Sequence, residues 1–449
     1  MLSLHRLLTL QKLSPLSSLL SRKFLSAAYP CTEAWNRRLE SPLLSKINPR
    51  DLFLELDKKL SPSGKVSAVD LDLFAHTIDE EDATEEFMDI LHRFRMTAET
   101  SKTLESTHHA VIRFFLDNNH IDELLTILDD RLNYGIFPDH FSTNLILNQL
   151  LKVPNHVAAV KVASLLMLQE DKENPLCNTL ALYSCGKLLE EGFDKWELPP
   201  EPVVDPKEEV VKIRVRYLRN PYFDDHFDLK DPKAITGKTM VFFTKNRDDI
   251  LGRSCLLLGY VLWGKHEMAA ECVAKWRSVD GAVFKEVLEK VEGELKLQKE
   301  KFKEGEDLKD FEKLREEVKS LKSQEGSLVD KMAAEVKMAV EEHEQKMIQD
   351  QIETFKKWEE VRMAELHRQL DELDKQARME KVKKMKEDMK KEERVLTFFD
   401  HEEEIELKIE DKLQRELEIY GPPTKKKIEE DENYVPPEIR SHTAGRNRR

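Results

Sequence analysis

Tyr134-Gly135-Ile136-Phe137-Pro138-Asp139, followed by Phe141-Ser142-Thr143-Asn144-Leu145-Ile146, is the stretch on which the fold turns. Gly135 can take the left-handed conformation that ends a helix, and Pro138 cannot continue one. Asp139 and Ser142 then stand where side-chain oxygens cap the first turn of a new helix. Outward from this join the same order of parts recurs at a 35-residue offset. Residues 109–112 start an apolar helix, 121–125 a second one after a polar turn, and 144–147 and 156–160 repeat the pair. A looser copy precedes them, with residues 71–77 as one helix and 85–91 as its partner. Over residues 48–195 apolar side chains recur at steps of three and four, which predicts stacked helical hairpins rather than strands.

The whole chain has 449 residues, 40% hydrophobic and 35% charged, with a formal net charge of −15. That balance does not fit one apolar globule throughout, nor a protein that coats nucleic acid with its entire surface. The charge is unevenly placed. No acid precedes Glu33, whereas Arg6, Lys12, Arg22 and Lys23 stand among nine leucines and several serines. This is the composition of a mitochondrial transit peptide, assigned to residues 1–28. Arg22-Lys23-Phe24 resembles the site cut by matrix processing peptidases, and cleavage near Leu25 would take the net charge from −15 to −19. Residues 285–420 are dominated by Glu and Lys, yet apolar positions keep a helical spacing, as in Val329, Met332, Val336 and Ala339. They read as a long charged helix or coiled coil, better suited to lying on a partner surface than to a long zipper, with breaks near Gly305 and Gly326. Residues 421–449 read as a disordered tail.

Residues 196–248 form a Pro-rich insert, with a further helical hairpin expected over 249–284, turning at Gly264. Within the insert, residues 210–219 alternate apolar and basic. As a strand they would place Lys212, Arg214 and Arg216 on one face, with Tyr217 and Arg219 near, a row able to meet phosphates and stack on bases. A solvated edge strand guarded by cations reads equally well from the same residues. Ile235-Thr236-Gly237-Lys238-Thr239 is not a phosphate loop, because Pro232 stands where that motif needs glycine. Neighbouring His108 and His109 point about 100° apart on a helix and cannot chelate one metal together. No catalytic constellation, metal site or cofactor motif is found, and no apolar run is long enough for a membrane span. The five cysteines lack metal-ligand spacing and read as buried or semi-buried thiols.

The join at 134–146 resembles the junction between two pentatricopeptide repeats, 35-residue helical hairpins that stack into a solenoid, commonly in organelles and on RNA. Leader, degenerate repeats and charged C-terminal helix, in that order, resemble the family of the mitochondrial small-ribosomal-subunit protein conventionally numbered twenty-seven. The resemblance spans about residues 69–275 and is tightest over 110–147. It implies an all-α fold, a helical-hairpin, pentatricopeptide-like solenoid followed by the charged helix. It further implies a non-catalytic structural component of the mitochondrial ribosome in the matrix, with small-subunit rRNA and other mitochondrial ribosomal proteins as partners. A free RNA-processing or stability factor acting on transcripts is the alternative. In repeats that read RNA by a code, the fifth and last positions face a base. Carried over, these are His109 with Asp139 and Asn144 with Asn174, although Asp139 and Asn144 also fit a plain capping role.

Overall fold

A computed structural model describes residues 24–60, 66–79, 83–197, 223–279, 281–301 and 309–421. The chain divides into two compact units, residues 1–366 and 367–449. In the first, a short helix α1 (Thr32–Asn36) precedes α2 (Pro49–Leu60), α3 (Ala68–Thr77), α4 (Thr84–Arg95), α5 (Glu105–Asp117) and α6 (Ile121–Asp129). Then come α7 (His140–Lys152), α8 (His156–Leu168), α9 (Pro175–Glu191), α10 (Pro232–Thr244), α11 (Ile250–Trp263) and α12 (His266–Ser278). After β1 (Ala282–Phe284) follow α13 (Lys285–Lys301), α14 (Lys309–Lys319), β2 (Lys322–Gln324) and α15 (Leu328–Leu396).

The repeats follow from their caps. Asp139 accepts from the Ser142 amide at 2.8 Å, Asn155 from Ala158 at 3.1 Å and Asn174 from Cys177 at 3.1 Å, starting α7, α8 and α9. Each cap satisfies an amide that the helix itself leaves unpaired. The helices α5 and α6, then α7 and α8, pack as hairpins, and α3, α5, α7 and α9 stand side by side in that order. Their shared core fully buries Phe87, Phe115, Ile146, Leu176 and Leu180. One detail differs from the reading of the join. The helix before it stops at Asp129, whose follower Asp130 accepts from the Asn133 amide. Gly135, at φ +66°, instead closes the ensuing turn against the Arg95 side chain.

The Pro-rich stretch also differs from expectation, because α10 lies inside it. Pro232 does not break this helix; it begins it, at the first position, where its missing amide would have no partner anyway. Asp231 supplies the cap, accepting from Ala234 at 3.1 Å. The helix packs on α8, α9 and α11, so it continues the stack of hairpins. Gly237 and Gly259 let α10 and α11 approach closely: a Cβ on Gly237 would sit 2.5 Å from the Gly259 carbonyl oxygen. Gly237 is therefore a packing residue in mid-helix, with Thr236 and Thr239 donating back to the Pro232 and Ile235 carbonyls.

In the charged region Phe311, Leu314 and Val318 of α14 are buried against α12 and α13. Among the described residues of this unit, β1 and β2 form a parallel strand pair. Gly326, at φ +153°, separates β2 from α15, a break the sequence suggested. The second unit holds the C-terminal part of α15, from His367, and α16 (Glu402–Tyr420). Its side chains over residues 371–396 are all exposed. Among the described residues no helix is long and apolar enough to cross a membrane. Cys31, Cys177, Cys185 and Cys255 are buried and Cys272 is half-buried, all as free thiols.

Candidate nucleic-acid interface

The resemblance to pentatricopeptide repeats implies RNA contact on the side carrying the fifth positions, which is the side of α3, α5, α7 and α9 with His109 and Asn144. Two other segments of the same chain already lie on that side. The first part of α15 runs across the repeats in reverse order. Met332 meets α9, where Gly186 leaves room: a Cβ there would lie 2.5 Å from the Met332 sulfur. Met347 reaches α7 and the start of α9, its sulfur 3.8 Å from Asn144 Nδ2 and 3.4 Å from Asn174 Nδ2. Phe355 and Trp358 then pack on His109 of α5, with ring centroids at 5.4 and 5.2 Å. Arg362 completes the path on α3. From Met332 to Arg362 the helix rises about 45 Å.

The N-terminal segment follows the same course beside it. Phe24 meets Tyr183 of α9 edge-on at 4.9 Å, and Tyr29 stacks on Phe141 of α7 at 4.7 Å. Trp35 lies between His109, His76 and Phe355, under the Arg38 guanidinium at 3.9 Å. Arg113 of α5 donates to the Pro30 carbonyl at 2.7 Å, and the Ser26 amide donates to Glu344 of α15 at 2.7 Å. Leu25 and Tyr29 are buried in the main core, so the packed chain begins before residue 28, the boundary expected for the leader.

Three of the four carried-over positions, His109, Asn144 and Asn174, thus have an occupant, while Asp139 is exposed. His109 is 2% exposed and pairs through Nδ1 with the Ser142 hydroxyl at 2.9 Å. Burial first, and then the cations Arg113 and Arg38, push its ring down to about 4 against the pull of Asp139. Asn144 is fully buried and donates to the Tyr29 hydroxyl at 3.0 Å. Asp139 and Asn174 spend an oxygen on their caps, and Asn174 turns its amide to Met347. With α15 in place no base can reach His109 or Asn144. Lys212, Arg214, Arg216, Tyr217 and Arg219 lie outside the described residues.

The α15–α3 contact is polar and sealed. Asp72 is fully buried and accepts from Arg362 Nε at 2.5 Å, Ser106 at 2.6 Å and Thr107 at 2.8 Å. Burial raises its carboxyl, but the Arg362 guanidinium and the Ser106 hydroxyl hold it below the usual carboxylate range. His76 sits between them: Nδ1 is 2.8 Å from the Asp72 carbonyl and Nε2 is 3.0 Å from Arg362 Nη2. Arginine can only donate, so Nε2 must accept and the proton must sit on Nδ1, which donates to the carbonyl. The ring is neutral, held down at about 3 by burial and the adjacent Arg362 despite Asp72. Arg247 ties the other end of α15, donating twice to Glu335 at 3.0 and 2.8 Å.

None of these partners was singled out from the sequence as part of a site. Asp72 with His76 four residues on, inside the apolar run Leu71–Phe74, was the available signal, since a buried acid needs a partner. Trp358 and Arg362, four apart in a charged helix, mark the matching face. The arrangement is a helical-repeat scaffold holding its own helix, and a family model described as mitochondrial 28S ribosomal protein S27 matches residues 2–388, so the chain belongs to that family.

Proposed function

We propose that the chain is a non-catalytic structural component of the mitochondrial small ribosomal subunit, in the matrix, touching small-subunit rRNA and neighbouring ribosomal proteins. The family supports the ribosomal assignment. The observation that carries the structural role is the occupation of His109, Asn144 and Asn174 by Tyr29, Met347, Phe355 and Trp358. A transcript reader needs those positions open to bases. Filled by α15, the repeats serve to hold and orient that helix, and contact with RNA and proteins falls to outer surfaces.

Sedimentation of a mitochondrial lysate through sucrose tests this. The expected result is comigration with the small subunit that survives moderate salt. A chain found mainly in slow-sedimenting fractions, bound to transcripts, would favour a free RNA-processing factor and remove the proposal.

A further inference from the structure

The exposed C-terminal part of α15 carries a feature that the repeats do not explain. Steps of four, four, three, four and four residues place Lys375, Met379, Lys383, Lys386, Lys390 and Arg394 along one stripe of the helix. The stripe is about 28 Å long. All six side chains are exposed. The nearest acids, Glu387 and Glu393, fall on its edges, and Asp371, Glu372 and Asp400 lie beyond its ends. Lys386, Lys390 and Arg394 follow one another at four-residue spacing, where like charges repel and weaken an isolated helix.

Four other cations of this unit pair with acids on their own helices, whereas Lys381, Lys384 and Arg415, off the stripe, do not among the described residues. Arg368 meets Glu372 at 2.8 Å, Lys391 meets Asp388 at 3.5 Å, and Lys408 meets Glu404 at 3.9 Å. None of the five stripe cations forms an ion pair among the described residues. A solvated Glu/Lys helix that stabilises itself mixes the two signs on every face; this one collects a single sign on one face. An external line of negative charge would relieve the repulsion.

We infer that the stripe Lys375–Met379–Lys383–Lys386–Lys390–Arg394 is a phosphate-backbone contact for structured RNA. This deepens the rRNA reading above and rests on it. Exposed, flexible Lys head groups suit sequence-independent contact with phosphates rather than base readout. An acidic protein surface is the competing occupant.

The test uses the full mature chain and a fluorescein-labelled RNA hairpin, read by anisotropy between 50 and 200 mM salt. Lys386→Glu/Lys390→Glu/Arg394→Glu should weaken binding at least tenfold at the lower salt. It should also flatten the plot of log affinity against log salt by about 3, with roughly 1 for each phosphate no longer neutralised. Circular dichroism should show the helix retained, and Gln at the same three positions should give a smaller loss in the same direction. Unchanged affinity and slope in the Glu variant would overturn the stripe. If Lys212→Glu/Arg214→Glu/Arg216→Glu abolishes binding while the stripe variant binds normally, the stripe fails and the rRNA reading stands. If the unsubstituted chain ignores the hairpin but binds polyglutamate through the stripe, both fall.

Discussion

Arg362 Nε lies 2.5 Å from Asp72 Oδ2, joining α15 to α3 across 290 residues of sequence with both side chains buried. A buried ion pair contributes little over an apolar pair, yet removing one partner strands a charge without solvent. Arg362→Ala should therefore destabilise the chain by about 3–5 kcal/mol in urea unfolding. Arg362→Met combined with Asp72→Leu should recover most of that loss. An Arg362→Ala protein as stable as the parent would mean that α15 is not seated on α3.

Acid should loosen the same face. His76, His108 and His109 are buried with folded pKa values pushed down to about 3, 4 and 4. An unfolded imidazole titrates near 6.5. Between these limits the unfolded chain binds more protons, so stability falls as pH drops from about 6.5 towards 4. At pH 5.5 the loss is about 1 kcal/mol per ring. Asp72, held low, adds a loss only below the ordinary carboxylate range. Melting temperatures taken from pH 7.5 to 5.0 should fall steadily, and His76→Gln should reduce the slope. A flat profile would mean that these rings are open to solvent.

The N-terminal segment should matter to the fold. Trp35 is 4% exposed and touches three aromatic rings besides Arg38. Trp35→Ala should cost about 3–5 kcal/mol. Protection of α15 amides over residues 348–362 from hydrogen exchange should fall with it. Removing residues 1–23 should leave both stability and protection intact, because Phe24 keeps its edge-on contact with Tyr183 and Leu25 stays buried.

Close packing of α10 on α11 leaves no room for a methyl group. Gly237→Ala would bring its Cβ to 2.5 Å from a backbone oxygen that cannot rotate away. Overpacking of this kind costs about 1–3 kcal/mol. The expected signature is a lowered urea midpoint with an unchanged slope, whereas wild-type stability would mean the two helices stand further apart.

Local signals were legible in the sequence. Asp139 after Pro138 marked the start of α7, and Gly264 the turn between α11 and α12, because caps and turns depend on neighbours in the chain. The prolines of 196–248 rule out one continuous helix but leave a helix start open: next to the Asp231 cap Pro232 begins α10. The apolar face of α15 was visible as spacing, but spacing shows that a face is covered and not by what. The occupants of the code positions were out of reach for the same reason. Asn144 meets Met347 at a separation of 203 residues, and Arg362 meets His76 at 286. Nothing in the 134–146 join reports such distant partners, so the resemblance alone left His109 and Asn144 open to RNA.

The seating of α15 on the repeats is tested most directly by hydroxyl-radical footprinting of the full chain, free and within isolated small subunits. One helix supplies both probe and control. Met332 and Trp358 are 1% and 8% exposed, while Met385 and Met389 are 56% and 67% exposed. The expected result is slow oxidation of Met332 and Trp358 in both states, with Met385 and Met389 oxidised fast in the free chain. Oxidation of Met332 and Trp358 as fast as Met389 in the free chain would contradict it, leaving the code positions open to RNA.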